Sequence, residues 1–255
     1  MHRFESQRAL IVGGGNMGGE IARVLTAEGA RVFFTYHRNQ EAAEQLADEL
    51  GPDGLAGFAQ LDISDLAAIE SVIRRAVQAL GGVDVLVVTA GYVHNMVPIL
   101  DVDFASVTKT IEVELVGVIK AATESLPHMR AGGYGRMVFV GSDSGKVGST
   151  GEAASSAARA GVIGFAKALA RETAREHDIC VNVVCPGPTA GPLLEGQMAD
   201  PGITGKLVNA MMRAIPKSRA ASTTEIAAAT VFLASPDAAF ITGQALSVSG
   251  GLTMS

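Results

Sequence analysis

A chain of 255 residues and 26.2 kDa is one large domain or two small ones. Hydrophobic residues make up 48% and charged residues 18%, which supplies an extensive core and excludes wholesale disorder. The formal net charge is −6, the sequence pI is about 5.4, and Lys and Arg are scattered, so a general nucleic-acid binder is excluded. Thirty glycines with 5% aromatics and no Trp fit a tightly turned α/β enzyme better than a β-sandwich. No apolar run approaches the roughly eighteen residues of a membrane span, and the polar start Met1–Arg8 does not read as a signal peptide. The expectation is a cytoplasmic protein with no membrane partner. Cys180 and Cys185 share one short apolar segment without metal-ligand spacing, so they read as core thiols and no metal site is expected.

Short β-branched runs alternate with segments of helical period. Strands are expected at Ala9–Val12, Arg31–Thr35, Gly57–Leu61, Val83–Val88, Arg136–Val140, Ile179–Val184 and Ala245–Val248. Most are nearly continuous apolar runs, as when both faces of a strand are covered. Between them, Ile21/Val24/Leu25, Leu66/Ile69/Val72/Ile73/Val77/Leu80 and Ile111/Leu115/Val118/Ile119/Ala122 repeat at three and four residues, the mark of helices with one buried stripe. The alternation predicts a single-domain, Rossmann-like, doubly wound α/β fold, with a parallel sheet of about seven strands flanked by helices. No linker, repeat or low-complexity tract divides residues 1–255. The one long irregular stretch, about 186–203, reads as part of a substrate loop near 186–215.

The first strand ends in Gly13-Gly14-Gly15-Asn16-Met17-Gly18-Gly19, and a helix follows at once. Gly13, Gly15 and Gly18 fit G-x-G-x-x-G, whose glycines let the backbone turn sharply and approach a pyrophosphate seated on the helix N-terminus. Asn16 and Met17 complete that cofactor-binding loop. The second strand ends in Thr35-Tyr36-His37-Arg38, with no carboxylate before Glu41; His37 and Arg38 suit a 2′-phosphate, which favours NADP(H). Asp62, followed by Ile63 after the third strand, is placed either to accept from the adenine amino group or to cap the helix beginning near Ser64.

At this point the sequence resembles the short-chain dehydrogenase/reductase family over essentially its whole length. Val85-Leu86-Val87-Val88-Thr89-Ala90-Gly91 is similar to the family's fourth strand and Asn-Asn-Ala-Gly turn. Gly135–Ser142 is similar to its fifth strand and catalytic serine, and Val181–Gly187 to its sixth strand and Pro-Gly turn. Phe240–Gln244 with Gly250-Gly251 is similar to its C-terminal signature. The resemblance places Ala90, Gly91, Pro186 and Gly187 against the cofactor and implies a homotetramer or homodimer built through helices near 104–129 and 155–176 and the last strand.

The family's carbonyl chemistry uses Asn, Ser, Tyr and Lys. The resemblance retains Ser142 but puts Ser155 at the Tyr position, Arg159 at the Lys position and Glu114 at the Asn position. Glu20 falls where the last loop glycine would be, and a carboxylate there threatens the pyrophosphate. A phenol acts as the acid because a neighbouring lysine and the nicotinamide ribose lower its pKa, whereas a serine hydroxyl has a far higher pKa and an arginine does not relay a proton. Loss of the general acid costs on the order of 10²–10⁴ in rate. Three readings stay open. One is an NADP(H)-dependent reductase of a C=C bond conjugated to a carbonyl or thioester, with Ser142, Ser155 and Arg159 holding an enolate, since enoyl- and dienoyl-CoA reductases of the family include members with Ser-x-x-x-Lys. Another is a carbonyl reductase with a relocated acid, drawn from His94, Tyr92, Asp143 and Glu114. The last is a cofactor-binding protein without redox turnover. His94, Asp143 and Leu193 are the expected small-molecule substrate contacts, with Leu194, Met198, Met211 and Met212 as an adaptable apolar wall.

Overall fold

Seven apolar runs pair into one parallel sheet of order β3-β2-β1-β4-β5-β6-β7. The computed structural model describes residues 2–92, 96–175 and 177–255. The strands are β1 (Arg8–Val12), β2 (Arg31–Tyr36), β3 (Leu55–Gln60), β4 (Val85–Val88), β5 (Tyr134–Val140), β6 (Asp178–Pro186) and β7 (Ala245–Val248). The helices are α1 (Asn16–Ala27), α2 (Gln40–Gly54), α3 (Leu66–Leu80), α4 (Phe104–Ile111), α5 (Gly117–Gly132), α6 (Ser144–Val147), α7 (Ala153–Thr173), α8 (Pro192–Ala199), α9 (Ile203–Ala214) and α10 (Thr223–Ala234).

Alternate residues of each strand feed two apolar layers. Leu10 and Val12 pack with Ile69 and Ile73 of α3, Ala121 and Ala122 of α5, and Val162 and Ala166 of α7. Ala9 and Ile11 pack with Ile21 and Leu25 of α1, Leu46 of α2, and Ile226 and Val231 of α10. This two-sided burial is why the strands read as unbroken apolar runs. The order reverses between β1 and β4, and a crevice at the carboxyl ends of strands on either side of such a switch point is where α/β sheets bind ligands.

Several expected boundaries shift for local reasons. β4 begins at Val85 because Asp84 is taken by Arg8, whose Nε and Nη2 reach its carboxylate at 2.8 and 2.7 Å and tie β1 to β4. β3 starts at Leu55, directly from the kinked end of α2 at Gly51 (φ 66°). The helix expected near Ser64 starts at Leu66, capped by the Asp65 side chain. The stretch near 186–203 is less irregular than expected, since α8 occupies its second half and leads into α9. Met96, Leu194 and Val208 form a small apolar core beneath these two helices. Thr204 donates to the Met96 carbonyl at 3.1 Å, which fastens α9 to the segment after β4.

The helix expected over 104–129 is interrupted. α4 and α5 are joined by a π turn at Glu112–Val116, whose wider ring places the Glu114 side chain inside the protein, 1% exposed. Among the described residues, no helix is long and apolar enough to cross a membrane, and no three His, Cys, Asp or Glu side chains gather where they could hold a metal ion. Both cysteines are buried free thiols, and burial pushes that of Cys185 up to about 11.

Candidate active site

The glycine loop lies over the switch point, and its glycines have different reasons. Gly13 has φ +105°, and Gly18 approaches it so closely that a Cβ on Gly18 would stand 1.8 Å from the Gly13 carbonyl oxygen. Thr89 Oγ1 donates to that same oxygen at 2.5 Å, and Gly13 N–H donates to Thr35 Oγ1 at 3.0 Å, so the loop is sewn to the ends of β4 and β2. A Cβ on Gly15 would meet no described atom within 4 Å. Gly15 therefore leaves an open cradle at the N-terminus of α1, beside Asn16, where an anionic group fits the unpaired backbone N–H groups. Met17 is partly buried against the α1-side core. A Cβ on Gly13 would stand 3.0 Å from the Ala90 backbone nitrogen, so loop and turn pack directly together. Glu20 is not turned on this cradle: Thr224 donates to its carboxylate at 3.0 Å and Arg23 lies 3.7 Å away.

His37 and Arg38 project from the end of β2, both exposed. His37 Nε2 is 3.7 Å from Asp62 Oδ2, and Lys109 of α4 is 3.6 Å from the same oxygen. Asp62 Oδ1 accepts from the N–H and hydroxyl of Ser64 at 2.9 and 2.6 Å. The Ser64 hydroxyl, ahead of the charges of Lys109 and His37, holds the Asp62 carboxyl below the ordinary aspartate range. Asp62 thus makes a local turn, and the cap of α3 falls to Asp65. Ile63 is buried, and its carbonyl abuts Gly117 at the start of α5.

At the other end of the crevice, Gly141 N–H donates to the Val184 carbonyl and Asp143 N–H to the Pro186 carbonyl, which sets Ser142 beside the Pro186-Gly187 turn. Ser142 Oγ accepts from Ser144 N–H at 3.2 Å and from the Ser144 hydroxyl at 3.0 Å, so its own hydrogen is left to donate. Asp143 is buried and accepts from Thr253 at 3.1 Å; burial, then the nearby Glu152 charge, pushes its carboxyl upward.

Glu114, Ser155 and Arg159 form one cluster. Ser155 and Arg159 lie one turn apart on α7 and both reach the carboxylate delivered by the π turn. Ser155 Oγ donates to Glu114 Oε2 at 2.6 Å, Arg159 Nε to Oε2 at 3.1 Å, Arg159 Nη2 to Oε1 at 2.8 Å, and Tyr92 N–H to Oε1 at 3.0 Å. Arg159 Nη1 donates to the carbonyls of Val140 and Gly141 at 2.9 and 3.1 Å, fixing α7 to the end of β5. Burial works to raise the Glu114 pKa, but the Arg159 charge and these hydrogen bonds outweigh it and hold the carboxyl below its usual range. The arrangement bears on the expectation that Arg159 helps hold an enolate. Its charge is compensated by Glu114, and one Nη2 hydrogen has no partner among the described residues; that nitrogen lies against Gly91. Sequence periodicity gave no sign of the π turn, although a carboxylate inside an apolar stripe signals a buried partner. His94 lies outside the described residues, and Leu193 is about half exposed on α8.

Comparison with known proteins gives the family and the fold. A family model described as Enoyl-(Acyl carrier protein) reductase matches residues 14–253. The chain is 35% identical to an acetoacetyl-CoA reductase of Acinetobacter sp. (strain RA3849) over 253 residues, 98% of this chain and 99% of the relative. It is also 35% identical to the 3-oxoacyl-(acyl-carrier-protein) reductase of Escherichia coli (strain K12) over 254 residues, with the same coverage. Its fold superposes on a short-chain dehydrogenase from Burkholderia cenocepacia J2315 in complex with NADP, with TM-score 0.87, 28% identity, and 98% and 99% of the two chains covered. A Serratia marcescens short-chain dehydrogenase/reductase variant superposes with TM-score 0.88 at 28% identity, over 99% and 100% of the chains. The chain belongs to the short-chain dehydrogenase/reductase family, a family of oxidoreductases.

Proposed function

We propose that the protein is an NADP(H)-dependent reductase that favours a C=C bond conjugated to the carbonyl of an acyl thioester over a simple ketone. The observation that carries this reading is the hydrogen-bond direction in the site: Ser142 has a hydrogen to give, and the hydrogen of Ser155 is held by Glu114. Ser155 and Arg159 occupy the positions of the family's Tyr and Lys in this reading, which leaves no acid there to protonate an alkoxide.

Gly13, Gly15, Asn16 and Gly18 would hold the pyrophosphate, His37 and Arg38 the 2′-phosphate, and Gly91, Pro186 and Gly187 would border the nicotinamide. When bound, NADPH supplies the hydride. Ser142 donates to the thioester carbonyl oxygen, where charge gathers as an enolate, and Arg159 offers its remaining N–H. The oxygen of an enolate is far less basic than that of an alkoxide, so neutral donors suffice to hold it while Cα takes its proton from water. The relatives named for ketone reduction and the family model named for enoyl reduction support a thioester substrate at the coarser level, and the C=C preference rests on the site.

The test is turnover of crotonyl-CoA against acetoacetyl-CoA with NADPH. The expected result is faster reduction of the unsaturated thioester; faster reduction of the ketone overturns the reading and directs attention to Asp143, whose raised pKa suits a relocated acid. On the cofactor side, NADPH is expected to bind more tightly than NADH, and Arg38→Asp to reduce or reverse that preference in a fluorescence titration. Equal affinities would remove His37 and Arg38 from the site.

The apolar side chains exposed on and around α4, the π turn, α10 and β7, among them Leu100, Phe104, Val116, Phe232, Phe240 and Leu246, support a homodimer or homotetramer. Light scattering at micromolar concentration is expected to give twice or four times the chain mass, and a 26.2 kDa particle contradicts it.

A further inference from the structure

We propose that Glu114 is a positioning residue that fixes the polarity of Ser155, so that the substrate atom seated over Ser155 must be a hydrogen-bond donor. The inference takes its ligand class, acyl thioesters, from the proposed function, and its argument from the cluster itself. An ionised carboxylate only accepts. Glu114 receives four hydrogen bonds, from Tyr92 N–H, from Arg159 Nε and Nη2, and from the Ser155 hydroxyl, and an oxygen so placed beside a guanidinium stays ionised. At 2.6 Å the Ser155 hydrogen is therefore committed to Glu114, and the Ser155 oxygen has only lone pairs left to offer a ligand. Ser142 has the opposite polarity, since it receives two hydrogen bonds from Ser144 and keeps its hydrogen.

The site thus offers one donor and one acceptor. A thioester carbonyl suits the donor. A C3 ketone over Ser155 would set lone pair against lone pair, whereas a C3 hydroxyl would donate into Ser155. The same residue that denies a proton to a ketone therefore accommodates a 3-hydroxyacyl group. Glu114→Gln is expected to invert this. Two N–H groups, from Tyr92 and Arg159 Nη2, converge on Oε1 against one, from Arg159 Nε, on Oε2, so the amide oxygen is selected at Oε1; the amide NH₂ then faces Ser155 and frees the serine hydrogen to donate, while Arg159 Nε loses its acceptor.

The experiment is a calorimetric titration of the NADP⁺-loaded protein with 3-hydroxybutyryl-CoA and acetoacetyl-CoA. The expected result is about tenfold tighter binding of the hydroxy thioester, the scale of one hydrogen bond gained against one polar clash. Glu114→Gln should shift the preference to the ketone, and Ser155→Ala, which leaves the Glu114–Arg159 pair intact, should bring the ratio to about one. Should Glu114→Gln fail to fold, Ser155→Ala decides. Equal or ketone-favouring affinities in the native protein, a ratio that survives Ser155→Ala, or no binding of either thioester at millimolar concentration overturns the inference. A preserved ratio without reduction of crotonyl-CoA leaves it standing and removes the C=C reading alone; reduction of crotonyl-CoA with no ratio does the reverse.

Discussion

Arg159→Met is expected to lower the unfolding free energy by about 3–5 kcal/mol, the range for breaking a buried ion pair from one side. Glu114 is 1% exposed and Arg159 15%, so the carboxylate left behind is cut off from water. The two backbone carbonyls at the end of β5 lose their donors as well. Glu114→Met together with Arg159→Met removes both charges, and the double variant is expected to lose less than the sum of the single losses by more than about 1 kcal/mol, as contacting residues do. Guanidinium unfolding of the four proteins at pH 7 measures this coupling, and additive losses would show that the two side chains act independently. The pH dependence follows from the sign of the Glu114 shift. Its folded pKa lies below its unfolded value, so its stabilisation is present above the ordinary glutamate range and is lost as pH falls through the folded pKa. Native protein should therefore lose its advantage over the double variant in acid. Asp143 has the opposite sign: its raised folded pKa costs stability as pH rises, and Asp143→Asn should be better tolerated at neutral pH than at acid pH.

The largest expected change in activity comes from rebuilding the family's pattern. Glu114→Asn, Ser155→Tyr and Arg159→Lys made together should raise acetoacetyl-CoA reduction by on the order of 10²–10⁴, the contribution of a positioned general acid. All three are required. A tyrosine placed against an intact Glu114 would donate its hydrogen inward as Ser155 does, and a lysine beside Glu114 would be tied to it. Steady-state rates with NADPH for the native and triple variants test this. An unchanged ketone rate in a folded, cofactor-binding triple variant would show that the proton donor for ketones lies elsewhere.

The fold was legible because its signals are redundant along the chain. Each strand is an apolar run, each main helix carries a stripe, and the glycine loop sits between the first of each, so errors of two residues at the starts of β3 and β4 left the topology untouched. The loop was legible for another reason: Gly13 and Gly18 are required by backbone geometry, which spacing reports directly. Side-chain commitments were less so. The family resemblance assigned Ser142, Ser155, Arg159 and Glu114 to one site, but it did not show that Glu114 would neutralise Arg159, because the π turn that delivers the carboxylate leaves no periodic mark in Glu112–Val116. Asp62 was ambiguous between an adenine contact and a helix cap; the cap falls to Asp65, and Ser64, two residues away, takes Asp62 Oδ1. Thr224, which engages Glu20, is 204 positions distant in the chain, beyond the reach of any local pattern.

The ion pair also constrains the protein's history. Exchanging either charged partner alone for an uncharged residue strands the other in the interior, so each substitution is costly by itself and tolerable only in the presence of its mate. Such a pair behaves as one heritable unit: a lineage passing between a neutral and a charged pair at these positions must cross a destabilised intermediate or make both changes close together. Once the charged pair is fixed, further substitutions accumulate around it, and single-step reversion becomes steadily less accessible.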